Sequence, residues 1–141
     1  MTPSQAALVR ESWAKVVPIA DVAAKLFYHR LFEVDPGLRA LFGNADPAEQ
    51  RRKLMATLAV AVQGLDHLEA LVPAVQDLGR RHVGYGVADA HYAIVGGALL
   101  WTLQQGLGEA WSPEVAAAWA ETYELLSGVM RDAARGARQA A

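Results

Sequence analysis

The sequence predicts an all-α protein of about seven helices around a single core. Apolar residues recur at the helical period along most of the chain, and no segment alternates as a half-buried strand would. Residues that begin or end helices separate these periodic segments. A length of 141 residues, with 53% hydrophobic and 20% charged residues, is typical of one globular domain.

The first two predicted helices are separated by a proline at position 18. Thr2 is a suitable N-cap for the first, because a proline follows it and Gln5 stands at the capping-box position. That helix reaches to about residue 17. The second covers residues 19–33, and we expect Val22 to be among its inward apolar residues.

The middle of the chain predicts a short helical turn and then a long helix. The turn opens at Asp35 and ends at Phe42. Asp46 then caps a helix that reaches to residue 64, with a proline in its first position. Glu49 stands where its side chain is expected to reach back to the cap.

Three further helices are predicted in the second half. Pro73 marks the expected start of one that ends at Gly84. Asp89 opens a long apolar helix that ends near residues 106–108. Ser112 caps the last helix, in which apolar residues follow a 3.6-residue period.

Composition excludes several classes of function. A net charge of −2 offers no electrostatic basis for binding nucleic acid. The absence of cysteine excludes disulfides, thiolate metal sites and thiol catalysis. No run of 18 apolar residues and no signal-peptide pattern occurs, so we expect no membrane span and a cytoplasmic location.

His82 is the residue that indicates chemistry most directly. It lies near the end of a predicted helix whose apolar face includes Leu71, Val75 and Leu78. A neutral imidazole on such a face can ligate an iron that needs one protein ligand and one open side. A lone histidine is more often a surface or hydrogen-bonded core residue, so both interpretations stand on this evidence alone.

Four other residues support the interpretation that His82 is an iron ligand. Gln50 and Leu54 recur every four residues and so share one helix face. If that face lies opposite His82, a planar ligand between them has one ligated and one open side. Tyr28 then offers a phenol donor, and Phe42 a ring that can stack on a flat macrocycle.

In these residues and their order the chain resembles a globin. It is most similar to bacterial single-domain haemoglobins and the haem domain of flavohaemoglobins, with neuroglobin-like motifs in Gly-Arg-Arg-His and Arg-Lys-Leu-Met. The segments that carry the resemblance are residues 27–28, 36–42, 50–55, 78–82, 85–87, 90–96 and 119–123. The resemblance implies a globin fold of seven to eight helices around a haem pocket, with residues 1–141 as a single domain.

The resemblance also implies haem b (iron protoporphyrin IX) as cofactor, with His82 as the only metal ligand. Its Nδ1–H would donate to a carbonyl one turn earlier, that of Leu78. Phe42 would wedge the haem, while Tyr28 and Gln50 would occupy the distal side. The residues that complete the expected haem site are Lys53, Leu54, Leu78, Arg81, Val87, Tyr92 and Val95.

Two positions depart from the patterns of related globins. Gln50 replaces a common distal histidine, so we expect no second protein ligand and an open ferrous site. Ala134 stands where flavohaemoglobins carry a glutamate that acts with the tyrosine matched by Tyr92, so strong peroxidase-like electron donation is not expected. The sequence stops at Ala141 without a reductase domain, and we expect any reductase to be a separate protein.

Three functions follow as hypotheses. The first is reversible O2 binding or transport with high affinity, with no catalytic residues, in which NO and CO are further ligands. The second is nitric oxide dioxygenation with a separate reductase. The third is a regulatory globin module without haem. The oligomeric state is left open, because Trp101 suits either packing or a subunit contact.

Overall fold

The computed structural model describes the backbone of residues 1–140 and the side chains of residues 1–137. Over residues 1–140 it contains seven α-helices, four short 3-10 helices and no strand. The helices are α1 (Pro3–Val16), α2 (Ala20–Val34), α3 (Arg39–Phe42), α4 (Pro47–Gln63), α5 (Leu68–Gly84), α6 (His91–Leu107) and α7 (Pro113–Ala140). The predicted all-α class is confirmed.

The helices pack as pairs around one core. Helix α5 lies along α7, α2 lies along α6, and α1 and α6 also pack on α7. Helix α4 packs on α2 and α1. The core therefore lies between these pairs, to which α4 contributes the buried Val62 and α5 the buried Leu71 and Val75.

A buried hydrogen bond joins the first and last helices. The indole N–H of Trp119 donates to the Ser12 hydroxyl oxygen at 2.8 Å, and only 1% of Trp119 is exposed. The Ser12 hydroxyl in turn reaches the carbonyl oxygens of Leu8 and Val9 at 2.7 and 3.0 Å. The buried polar atoms of this contact are thus satisfied.

Gly79 allows α5 to approach the backbone of α7 closely. A Cβ atom at this position would lie 2.4 Å from the carbonyl oxygen of Met130. Any larger residue would therefore push the two helices apart. Since His82 lies one turn further along α5, the position of the histidine depends on this close contact.

Of the two predicted capping boxes, the structure contains one. The predicted capping box at Thr2 and Gln5 is confirmed, with both hydrogen bonds present at 3.1 and 2.9 Å. Asp46 caps α4 through the Ala48 N–H, but Glu49 binds Arg52 instead of reaching back. The second capping box was therefore wrong, because a guanidinium one turn away is a stronger partner for a carboxylate than a backbone N–H.

The predicted start of α5 was also wrong. The helix begins at Leu68, and Pro73 lies inside it. Pro73 is exposed, whereas Leu71 and Val75 on either side are buried. A proline on the solvent side of a helix removes one hydrogen bond and bends the helix without ending it. Burial of Leu71 and Val75 stabilises the helix on both sides of Pro73, so the helix continues.

Val22 was wrongly expected to face inward. Its side chain is 56% exposed, because Ala23, Ala24 and Phe27 occupy the core-facing side of α2.

One stretch of the chain is apolar enough to cross a membrane by length and composition alone. It covers residues 47–84 and contains an 18-residue window of mean hydropathy 1.3, of which 28% is buried. A 3-10 turn at Gly64–His67 divides this stretch into α4 and α5, each of 17 residues. Apart from the turn that both contact, α4 packs on α1 and α2 and α5 packs on α7, so the stretch is weak evidence for a membrane span.

Candidate functional site

His82 lies in the last turn of α5 with its imidazole orientation set by the backbone. Its Nδ1 is 2.7 Å from the carbonyl oxygen of Leu78. Since a carbonyl can only accept, Nδ1 carries the proton and Nε2 keeps a lone pair. Burial lowers the pKa of His82 below its ordinary value; the Leu78 contact opposes this and Arg81 adds to it. The residue thus presents a neutral nitrogen donor, as metal ligation requires.

The turn after α5 packs against the same histidine. The carbonyl of His82 accepts from the N–H groups of Tyr85 and Val87, both at 3.1 Å. The Tyr85 ring lies edge-on to the imidazole, with 5.4 Å between centroids, and its side chain is 54% exposed. The sequence alone does not single out Tyr85 as a site residue, although its spacing of three residues from His82 is typical of side chains that meet on one side of a helix.

Tyr28 and Gln50 are brought together by the packing of α2 on α4. The phenol of Tyr28 donates to the backbone carbonyl of Gln50 at 3.3 Å. Burial raises the pKa of Tyr28 to about 12, so the phenol remains a donor at neutral pH. The contact uses the backbone of Gln50 and leaves its side-chain amide for other partners.

An aromatic cluster surrounds the Tyr28 ring. Phe27, Phe42 and Phe32 lie 5.0, 5.6 and 6.1 Å from it between centroids, the first two edge-on. Phe32 also packs edge-on against Phe42 at 5.4 Å. Sequence reasoning did not single out Phe32, which completes the cluster and restricts the rotation of both neighbours.

Leu54 and Leu58 form the apolar wall of α4. Both are half-buried and pack against the core, and both line a small cavity with residues of α1, α2 and α6. A second small cavity lies between α4, α6 and α7, and it shares Leu58 and Leu99 with the first. The interior behind α4 is therefore apolar.

Tyr92 is held at the α6–α7 contact. It is 6% exposed, and its carbonyl accepts from the Tyr123 hydroxyl at 2.5 Å. A Cβ atom at Gly96 would lie 2.6 Å from the Tyr123 ring, so the absence of a side chain there makes room for that ring. The other apolar residues expected at this edge of the site are half-buried, namely Leu78, Val87 and Val95.

The two basic residues expected at the edge of the site lie at the surface. Lys53 and Arg81 are both exposed, and Arg81 pairs with Asp77 at 3.3 Å. Arg51, in the same helix as Lys53, pairs with Asp21 on α2 at 3.0 Å. That pairing joins residues 30 apart, and a separation of this size leaves no local pattern in the sequence.

The donor set fits haem iron. Among the described residues no group of three or more His, Cys, Asp or Glu side chains could hold a metal ion. A single imidazole with a free Nε2 suits a metal that brings its other ligands with it, as a porphyrin iron does. The aromatic and apolar side chains around Tyr28 and Leu54 suit the rest of such a cofactor.

Comparison with known proteins shows the family to which the chain is similar. The globin family model matches residues 25–130. A flavohaemoprotein of Bordetella parapertussis is 33% identical over 132 residues, which are 92% of this chain and 33% of that protein. The chain thus spans about a third of such relatives. An anaerobic nitrite reductase of Oryza sativa subsp. indica is 31% identical over 135 residues, with 92% of each chain covered.

A solved structure shows the same fold. The hexacoordinated haem protein from an anhydrobiotic tardigrade superposes with a TM-score of 0.85 and covers 96% of both chains at 19% identity. The fold, the family model and the relatives agree over most of the chain. This chain belongs to the globin family.

Proposed function

We propose that this globin holds haem b with His82 as its proximal ligand and binds O2 reversibly with high affinity. The observation that carries the proposal is the 2.7 Å contact from His82 Nδ1 to the Leu78 carbonyl, which leaves Nε2 free. When bound, haem supplies a ferrous iron to which O2 and other diatomic ligands bind.

On the proximal side, the backbone of α5 orients the histidine. The Leu78 carbonyl selects the tautomer with the proton on Nδ1 and holds the ring in one orientation. The Tyr85 ring covers one edge of the imidazole. The imidazole ring is therefore already oriented, and Nε2 can bind iron without a change of rotamer.

On the distal side, the Gln50 side-chain amide and the Tyr28 phenol provide hydrogen-bond donors, and the phenol turns its one proton from the Gln50 carbonyl to the bound ligand. Residues 47–63 contain no histidine, so α4 offers no second strong ligand for iron. Each donor that faces the open side stabilises a polar diatomic ligand by about 1–2 kcal/mol, which is near tenfold in dissociation rate. We therefore expect tight binding and slow release.

The rest of the pocket holds the flat faces and edges of the cofactor. Phe42 and Leu54 supply apolar contact on the distal side, and Tyr92 and Val95 on the inner side. Lys53 and Arg81 are long, exposed cations that would pair with the propionate carboxylates of the bound cofactor.

The experiment that tests the proposal is the visible absorption spectrum of the purified protein in its ferric, dithionite-reduced and O2-exposed forms. We expect a five-coordinate high-spin ferrous spectrum that changes to a stable O2-complex spectrum. A six-coordinate ferrous spectrum would contradict the open distal site. A protein that stays colourless when given haemin would overturn the proposal and favour a regulatory module without haem.

A second candidate function is nitric oxide dioxygenation, in which NO and O2 become nitrate while a separate reductase supplies one electron per turnover. Similarity to flavohaemoproteins over 92% of this chain favours it. Steady-state NO consumption with an added reductase tests it, and a single stoichiometric reaction without turnover would argue against a dedicated enzyme. Nitrite consumption in a separate anaerobic assay with the same added reductase tests the activity for which the rice relative is named.

A further inference from the structure

We infer that Asp21 is a positioning residue for the distal side of the site: its carboxylate clamps Arg51, and through α4 it holds the adjacent Gln50 in register with Tyr28. The inference rests on the proposed function, in which Tyr28 and Gln50 form the distal side.

The clamp is an ion pair between two helices. Arg51 Nε donates to Asp21 Oδ1 at 3.0 Å, and Lys25 Nζ lies 3.3 Å from Asp21 Oδ2. Asp21 and Lys25 lie on α2, whereas Arg51 lies on α4. The carboxylate therefore has one cation on each oxygen, and only the Arg51 contact crosses between helices.

The partners differ in exposure in the way a clamp requires. The Arg51 side chain is 21% exposed, whereas those of Asp21 and Lys25 are 64% and 60% exposed. Arg51 is thus folded over the α2–α4 contact and not extended into solvent. Its aliphatic stem covers the contact while its guanidinium reaches the carboxylate.

The distal contact beside the clamp is sensitive to small movements of α4. The Tyr28 hydroxyl lies 3.3 Å from the Gln50 carbonyl oxygen, beyond the usual range for an O–H donor. A further shift of a few tenths of an ångström would break it. Because Arg51 follows Gln50 directly in the same helix, the ion pair with Asp21 resists that shift.

Neutralising Asp21 should do more than remove one attraction. Lys25 and Arg51 would then stand on either side of an uncharged side chain, and their repulsion would favour separation of α2 from α4. Neutralising Lys25 removes a contact within α2 alone, so it should leave the position of α4 unchanged.

Helix α4 offers a matched control. Glu49 and Arg52 form an ion pair on the same helix as Arg51, but both residues belong to α4 and the pair is exposed. Glu49→Gln therefore makes the same charge change as Asp21→Asn without affecting any contact between helices.

The experiment compares Asp21→Asn, Arg51→Gln, their double variant and Glu49→Gln in the haem-loaded protein. The infrared stretching band of CO bound to the ferrous protein reports the hydrogen-bond donors near the ligand. We expect Asp21→Asn to shift or broaden this band, because the phenol released from the Gln50 carbonyl can turn to the ligand, and to change the CO dissociation rate by about two- to fivefold. Asp21→Glu should restore both properties.

The controls decide between a clamp and a general effect of charge. Arg51→Gln should match Asp21→Asn, and the double variant should add nothing further. An unchanged band in Asp21→Asn, or an equal shift in Glu49→Gln, would overturn the clamp.

Failure of the clamp and failure of the proposed function give different results. If Tyr28→Phe shifts the band and Asp21→Asn does not, the function stands and the clamp fails. If the protein takes up no haem, the function fails, and hydrogen exchange of the α4 amides becomes the test. Asp21→Asn must then speed exchange in α4 while Glu49→Gln does not, or the clamp fails too.

Discussion

His82 Nδ1 and the Leu78 carbonyl oxygen are 2.7 Å apart within the last turns of α5. The contact spans four residues, so the helix itself brings the acceptor beneath the ring. It assigns the proton to Nδ1 and frees Nε2. Both consequences follow from backbone geometry, and they make this histidine suited to ligate iron. Among the hydrogen bonds of the described residues, the other three histidines have no such contact to a backbone carbonyl one turn earlier.

Replacing His82 by alanine should abolish imidazole ligation of haem. The ring is half-buried near a helix end, so we expect the far-ultraviolet circular dichroism of the variant to stay that of a helical protein. Its haemin-reconstituted spectrum should lack the signature of a histidine ligand, and added imidazole should restore it. His67→Ala, at an exposed position, is the control and should leave the spectrum unchanged. A normal spectrum in His82→Ala would refute the assignment.

Replacing Tyr28 by phenylalanine should speed O2 release about tenfold, because one donor worth about 1–2 kcal/mol is lost. Stopped-flow measurement of the O2 dissociation rate tests this. Tyr85→Phe removes a hydroxyl from a ring on the proximal side, next to His82, and should leave the rate unchanged. If Tyr28→Phe released O2 at the original rate, the phenol would have only a structural role.

Gly79→Ala should destabilise the protein by about 1–3 kcal/mol, since overpacking against a backbone atom cannot be relieved by a side-chain rotation. The new Cβ would lie 2.4 Å from the Met130 carbonyl oxygen. Gly97→Ala is the matched control: it is also inside a helix, nothing lies within 4 Å of its Cβ, and it should raise stability by up to about 1 kcal/mol. Chemical denaturation measures both, and equal effects would contradict the close approach of α5 and α7.

Alkaline pH should destabilise the fold through its buried phenols. Burial raises the pKa of Tyr28 from 10.0 to about 12, and it also raises the pKa of Tyr123. The folded state therefore holds these protons more tightly than the unfolded state. The stability linked to them is complete below pH 10 and is lost as the pH rises through about 12 for Tyr28. Melting temperatures should not change through these phenols from pH 8 to about 10 and should fall above that, and the fall should be smaller in Tyr28→Phe than in Tyr85→Phe.

The predictions that the structure contradicts have a common cause. The sequence predicts a helix start at Pro73 and a core position for Val22, yet the helix continues through the proline and the valine is exposed. It also predicts that Glu49 reaches back to the cap, whereas Glu49 binds Arg52. For Pro73 and Val22, the local preference of the residue is outweighed by which side of the helix packs against the core. For Glu49, it is outweighed by a stronger hydrogen-bond partner nearby.

The sequence by itself determined the features that depend on contacts between residues three or four apart. The helical class, the capping box at Thr2 and the approach of His82 to Leu78 all follow from the geometry of a single helix. The tertiary structure alone decided the contacts between helices. Tyr28 meets the Gln50 carbonyl and Asp21 meets Arg51 only because α2 crosses α4, and these pairs lie 22 and 30 residues apart. Helix crossings depend on how complete side-chain surfaces pack, and no short pattern in the chain encodes that.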